Sequence, residues 1–92
     1  MKQKGALKID EKTAEKINAI IELLNEFEND STVPRNVKAK ISNAANALKE
    51  EAELSIRVHK ALNELDEISD DSNMQPYTRT QIWNIVSLLE TL

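Results

Sequence analysis

The chain nearly repeats itself 41 residues on, and no other feature narrows the possible folds as far. Leu24, Glu26, Asp30, Ser31, Ile41, Asn43 and Leu48 recur as Leu65, Glu67, Asp71, Ser72, Ile82, Asn84 and Leu89. Conservative matches keep the same register: Phe27 with Ile68, Val33 with Met74, Lys38 with Arg79, and Ala44 with Ile85. Each copy carries one proline, Pro34 or Pro76, in its loop. A repeat of this length, with one such loop per copy, reads as two helical hairpins.

The composition agrees. One glycine (Gly5) and two prolines in 92 residues leave little room for sheet turns or long loops. A chain of this size buries roughly 60–65% of its unfolded surface, enough for one core. The expected fold is therefore all-α: a single up-and-down four-helix bundle built from two hairpins. Residues 1–9 read as a flexible basic N-terminal tail and residues 10–92 as the bundle domain.

Asp10 caps a first helix running to about Glu28, with Ile17, Ile20, Ile21, Leu24 and Phe27 on one face. Asn29 to Thr32 breaks it. A second helix starts near Pro34, where a missing N–H costs nothing, and turns Val37, Ile41, Ala44, Ala45 and Leu48 inward. The stretch Lys49 to Glu53 contains no helix breaker. Even so, the next apolar face (Leu54, Val58, Ala61, Leu65, Ile68) lies about a third of a turn out of phase at ~100° per residue. That slip predicts a short break, with Ser55 as a candidate cap. The alternative is one continuous helix, which exposes the core face and forces a swapped dimer. The third helix ends at Ser69. Thr78-x-x-Gln81 has the form of a capping box for the fourth, which carries Ile82, Trp83, Ile85, Val86, Leu88, Leu89 and Leu92.

Several functions are disfavoured at once. Without cysteine there are no disulfides, thiolate metal sites or thiol catalysis. Helical bundles can hold two metals with glutamates and Glu-x-x-His motifs, but the one histidine, His59, has Ile56 three residues before it. His59 is expected on the solvent edge of its helix. Carboxylate pairs at helical spacing, Glu22 with Glu26 and Glu64 beside Asp66 and Glu67, fall opposite the apolar stripes and read as solvated. A phosphate-binding glycine loop is excluded by the single glycine. The expectation is a non-enzymatic protein with no cofactor and no metal.

The start, Met1 to Gly5, is basic but has no apolar core after it, so it does not read as a signal peptide. No apolar run approaches the ~20 residues of a membrane span. The reading is a soluble cytoplasmic protein without membrane contact. The net charge of −4 weighs against nonspecific nucleic-acid binding.

Two surfaces remain. In an up-down bundle both hairpin loops lie at one end, which gathers Glu26, Glu28, Asp30, Asp66, Glu67, Asp70 and Asp71. Arg35, Lys38 and Arg79 start the helices leaving that pole and neutralise part of it. A basic partner segment or a loosely held divalent cation is the functional use of such a pole, although calcium-loop spacing is missing. The second surface is the fourth helix. Its apolar residues span about 220°, wider than one bundle interface requires. Trp83 and Leu88 fall at the two margins, and Glu90 is its only charge between Ile82 and Leu92. Interface cores are depleted in charge and enriched in aromatic residues. Trp83 and Leu88, extended by Tyr77, are therefore the candidate partner-binding residues, with a protein partner or a homodimer as occupant. The opposing structural reading packs Trp83 over the bundle interior and Leu88 on the first helix. A ribonucleoprotein accessory role through Arg35, Lys38, Arg79 and nearby lysines is the alternative.

The segments Asn29 to Lys38, Leu54 to Val58, Leu65 to Met74 and Tyr77 to Ser87 resemble the small archaeal proteins grouped as uncharacterised protein family 0147. The resemblance runs from about Ile17 to Leu89, and Tyr77 to Ser87 is its most specific part. It implies a compact helical bundle from an archaeal cytoplasm and no assigned activity. One departure is visible: the family leads one to expect proline directly after Met74, where this chain has Gln75 and then Pro76.

Overall fold

The computed structural model describes residues 9–92, which form four α-helices and no strand: α1 (Glu11–Glu28), α2 (Arg35–Lys49), α3 (Leu54–Ile68) and α4 (Pro76–Glu90). Except for Ile9, the expected basic tail lies outside the described residues. Ile9 is half-buried and packs against the core.

Capping explains where each helix begins. Asp10 stays extended while its carboxylate accepts from the Thr13 N–H at 2.7 Å, the expected N-cap. Pro34 occupies the corresponding position before α2 without a side-chain cap bond. Two expected caps are not used. α3 begins at Leu54 after Glu53, ahead of Ser55. α4 begins at Pro76 after Gln75, so Thr78 lies within the first turn and no capping box forms. Proline at the first helical position has its φ already set and lacks an N–H the helix could not have satisfied. That places Thr78 one turn in, where it is only 2% exposed.

The break between α2 and α3 is confirmed. Residues 50–53 leave the helix with Glu50 extended at ψ 152°, and Arg57 Nε reaches back to donate to the Ala52 carbonyl at 2.7 Å. Lys60 pairs with Glu50 at 2.7 Å across the same joint.

The helices close a ring: α1 packs on α2, α2 on α3, α3 on α4 and α4 on α1. Closest of all is α2 against α3. The buried residues there include Ala44, Ala45, Ala47 and Ala61, whose small side chains let two helix axes approach. α4 contacts both of its neighbours more sparsely. Its buried positions are Thr78, Ile82, Ile85 and Leu89. The expected inward residues of α1 and α2 are buried, except that Ile21 is half-covered; Leu54 and Val58 of α3 are half-covered as well.

The repeat is visible in the loops. In the first, Asp30 Oδ1 accepts from the Thr32 N–H at 2.9 Å, and the Asp30 carbonyl accepts from the Val33 N–H at 3.1 Å. In the second, Asp71 Oδ1 accepts from the Asn73 N–H at 2.8 Å, and the Asp71 carbonyl accepts from Met74 at 3.3 Å. Val33 and Met74 then plug the same end of the core. An aspartate side chain that bonds the backbone two residues on is a turn in its own right, so neither loop needs glycine.

Candidate functional site

α4 carries the candidate surface. Successive residues advance ~100° around a helix, so Ile82, Ile85 and Leu89 define one inward face. Opposite it lie Thr80, Asn84 and Ser87, all exposed. Trp83 and Leu88 flank that outer face, 58% and 45% exposed, and Tyr77 lies at its start, 68% exposed. Trp83 is thus not buried over the interior, and Leu88 keeps nearly half of its surface in solvent. Glu90 is the one charged residue among the exposed positions of α4. Arg79 is half-buried, and its guanidinium donates to the Asp71 carbonyl at 2.7 Å. Ile56, on the first turn of α3, is a further exposed large apolar residue. Sequence reasoning missed it because a lone apolar residue between Ser55 and Arg57 carries no periodic signal.

The acidic pole forms as expected. Asn36 Nδ2, at the start of α2, donates to Asp71 Oδ2 at 2.7 Å and ties the first repeat to the second loop. This amide holds the Asp71 carboxyl below its ordinary value, helped by the Asn73 N–H and by Arg79. The Thr32 hydroxyl, donating at 2.6 Å, and then the Thr32 N–H do the same for Asp30. Lys40 pairs with Glu67 and, at 3.6 Å, with Glu64; its hydrogen bond to Glu67 is the main cause of its raised pKa. These carboxylates therefore spend their charge on local donors. Among the described residues no three acidic or histidine side chains come together where they could hold a metal ion. His59 is exposed on α3, as its sequence position suggests.

A groove of about 340 Å³ opens between α2 and α3, lined by Asn43, Asn46, Ala47, Glu50, Lys60, Asn63 and Glu64. Its charged walls are already bridged, Lys60 to Glu50 and Asn43 to Glu64 at 3.2 Å. No helix among the described residues is long and apolar enough to cross a membrane.

The fold and surface define a small all-α bundle that presents one nearly uncharged helix face with aromatic residues on it. Residues 3–92 match the sequence model described as Uncharacterised protein family (UPF0147), and the chain belongs to that family. It is 51% identical over 82 residues to a UPF0147 protein of Methanocaldococcus jannaschii, covering 87% of this chain and 88% of the relative. A UPF0147 protein of Metallosphaera sedula is 44% identical over 78 residues, covering 84% and 88%. The crystal structure of an unknown function protein, MMP1188, superposes with a TM-score of 0.84 at 50% identity, covering 92% of this chain and 96% of that one. A Thermoplasma acidophilum structure from the same family gives 0.80 at 35% identity, covering 86% and 94%. The fold is thus shared by solved relatives. Their descriptions name no activity.

Proposed function

We propose that this protein is a small non-enzymatic protein–protein interaction module of the archaeal cytoplasm, and that α4 is its contact surface. The observation that carries this reading is the joint exposure of Tyr77, Trp83 and Leu88 on a helix whose exposed side bears one charge. Large apolar residues at low charge density are what the core of an interface offers. The groove between α2 and α3 supports a ligand less well, because its charged groups already satisfy one another.

A ribonucleoprotein role draws on the cations, and several of these are already engaged. Lys40 is held by Glu64 and Glu67, Lys60 by Glu50, and Arg79 by the Asp71 carbonyl.

Affinity capture from archaeal lysate, with and without nuclease, tests the reading. The proposed module retains the same protein in both halves, and Leu88→Glu loses it without losing helicity. Capture that vanishes with nuclease transfers the role to nucleic acid. If Leu88→Glu unfolds the bundle, Leu88 is core and the surface is wrongly drawn.

A further inference from the structure

Two of the three joints in the bundle are written into the local sequence, and the third is not. The joints after α1 and α3 each carry an aspartate turn and then a proline, Asp30 with Pro34 and Asp71 with Pro76. The joint between α2 and α3, residues 50–53, reads Glu-Glu-Ala-Glu, a run of fair to good helix formers with neither glycine nor proline. α3 starts behind it without a side-chain cap bond. We infer that this joint is a hinge across which two copies of the chain exchange hairpins. In the exchanged form α2 and α3 run on as one helix. The α1–α2 hairpin of each copy then packs against the α3–α4 hairpin of the other. This goes beyond the contact role of α4 and does not rest on it.

The backbone is already close to the straight form. Glu50 has φ −68° and ψ 152°, and Glu53 has φ −58° and ψ 147°. A helix has φ of about −63° and ψ of about −42°, so at both ends of the joint φ is helical and ψ alone must turn. Side chains hold the bend from outside: Arg57 Nε donates to the Ala52 carbonyl and Lys60 pairs with Glu50, each at 2.7 Å. The Lys60–Glu50 pair is exposed and contributes little.

Ile56 is a separate pointer to the same form. It is 44% exposed in the bent chain. On an unbroken helix it stands four residues from Ala52 and eight from Leu48, which extends the apolar row of α2 past the joint. Straightening gives Ile56 the apolar neighbour on its own helix that the bend takes away.

The partner is fixed by shape. Straightening lays open the faces of α2 against α3 and of α1 against α4, and the complement of each is the hairpin it has left. Ala44, Ala45, Ala47 and Ala61 are close-packed there, so a second copy fits where another surface would leave voids. Every contact between the hairpins re-forms between copies, which makes such exchange a low-cost route to a dimer. A short hinge invites it further. Against it stands the closed joint, which holds the two hairpins together at an effective concentration on the order of 1 mM. Exchange therefore belongs to concentrated protein.

The test is to refold the intact chain from denaturant at about 2 mM and at about 1 µM, on either side of that effective concentration. Both samples are then diluted to about 1 µM, and their mass is read at once by light scattering. The expected result is a dimer from the concentrated sample alone, one that outlasts dilution because its release requires the core to open. Glu51→Pro lowers the dimer constant by about 10⁴-fold, since each of two helix interiors would then hold a proline. The same change spares the helicity of the monomer, where Glu50 already has the extended conformation that a residue before proline prefers. Where proline disturbs the monomer, Glu51→Gly combined with Ala52→Gly lowers the dimer yield in the same direction. Leu88→Glu leaves the dimer intact. A dimer that falls apart on dilution, or one lost with Leu88→Glu and kept with Glu51→Pro, is surface association and overturns the exchange. Monomer alone after refolding at the higher concentration overturns it as well, while the contact role of α4 stands or falls on its capture experiment.

Discussion

α2 and α4 stand at equivalent places in the repeat, and the molecule treats them differently. Ile41 and Leu48 match Ile82 and Leu89, and all four are fully buried. Between these anchors α2 carries Ser42, Ala44, Ala45 and Ala47 where α4 carries Trp83, Ile85, Val86 and Leu88. The alanine helix sinks against α3 and is covered; the bulky helix sits off its neighbours with Trp83 and Leu88 in solvent. The apolar pattern gives both helices the same inward face. Side-chain volume then decides which becomes scaffold and which keeps an open edge.

The comparison can be broken most directly at its shared anchors. Leu48→Ala should cost about 4–5 kcal/mol and Leu89→Ala about 2–3 kcal/mol, read from denaturant midpoints, because the looser helix can relax into the cavity. Equal costs would mean that α4 is held as firmly as α2. Reversing the volumes at one equivalent pair comes next. Ala47→Leu overpacks a covered site and should cost about 1–3 kcal/mol, whereas Leu88→Ala should stay within about 1 kcal/mol. Native-state hydrogen exchange should then show amides of α4 opening at lower free energy than those of α2.

The smallest expected effect lies in the loops. Asp30 and Asp71 are both held below the ordinary carboxyl value of 3.8. A lowered folded-state pKa contributes stability that is fully present above 3.8 and disappears as the pH falls through the folded value. Acid titration of Asp71→Asn should show the larger loss of this pH dependence, because Asp71 also holds Asn36. Asp30→Asn should show the smaller one.

The four helices, the inward faces and the common pole of the two loops were legible because apolar periodicity and short connections fix them. The break after Lys49 was legible only through phase, since Glu50, Glu51 and Glu53 are no strong helix breakers. The capping box at Thr78 and Gln81 misled for a physical reason: the motif is local, and Pro76 two residues earlier supplies a ready first turn that outcompetes it. The exposure of Trp83 was legible only as one of two readings. A wide apolar arc fits a deeply inserted helix and a loosely docked one equally, and the distance between α4 and its neighbours decides between them.

The closest helix pair, α2 with α3, straddles the boundary between the two repeats. Its joint spans four residues, against six between α1 and α2 and seven between α3 and α4. Short closure carries a small entropic cost, and burying alanine freezes almost no side-chain rotamers. Contacts of this kind form early, so mutational φ-values at Ala45 and Ala61 are expected to exceed those at Ile85 and Leu89. The unit that the sequence duplicates is then not the unit that folds. With φ-values in that order, the chain would begin in the middle, and each half would gain its partner helix from the other half before closing on its own.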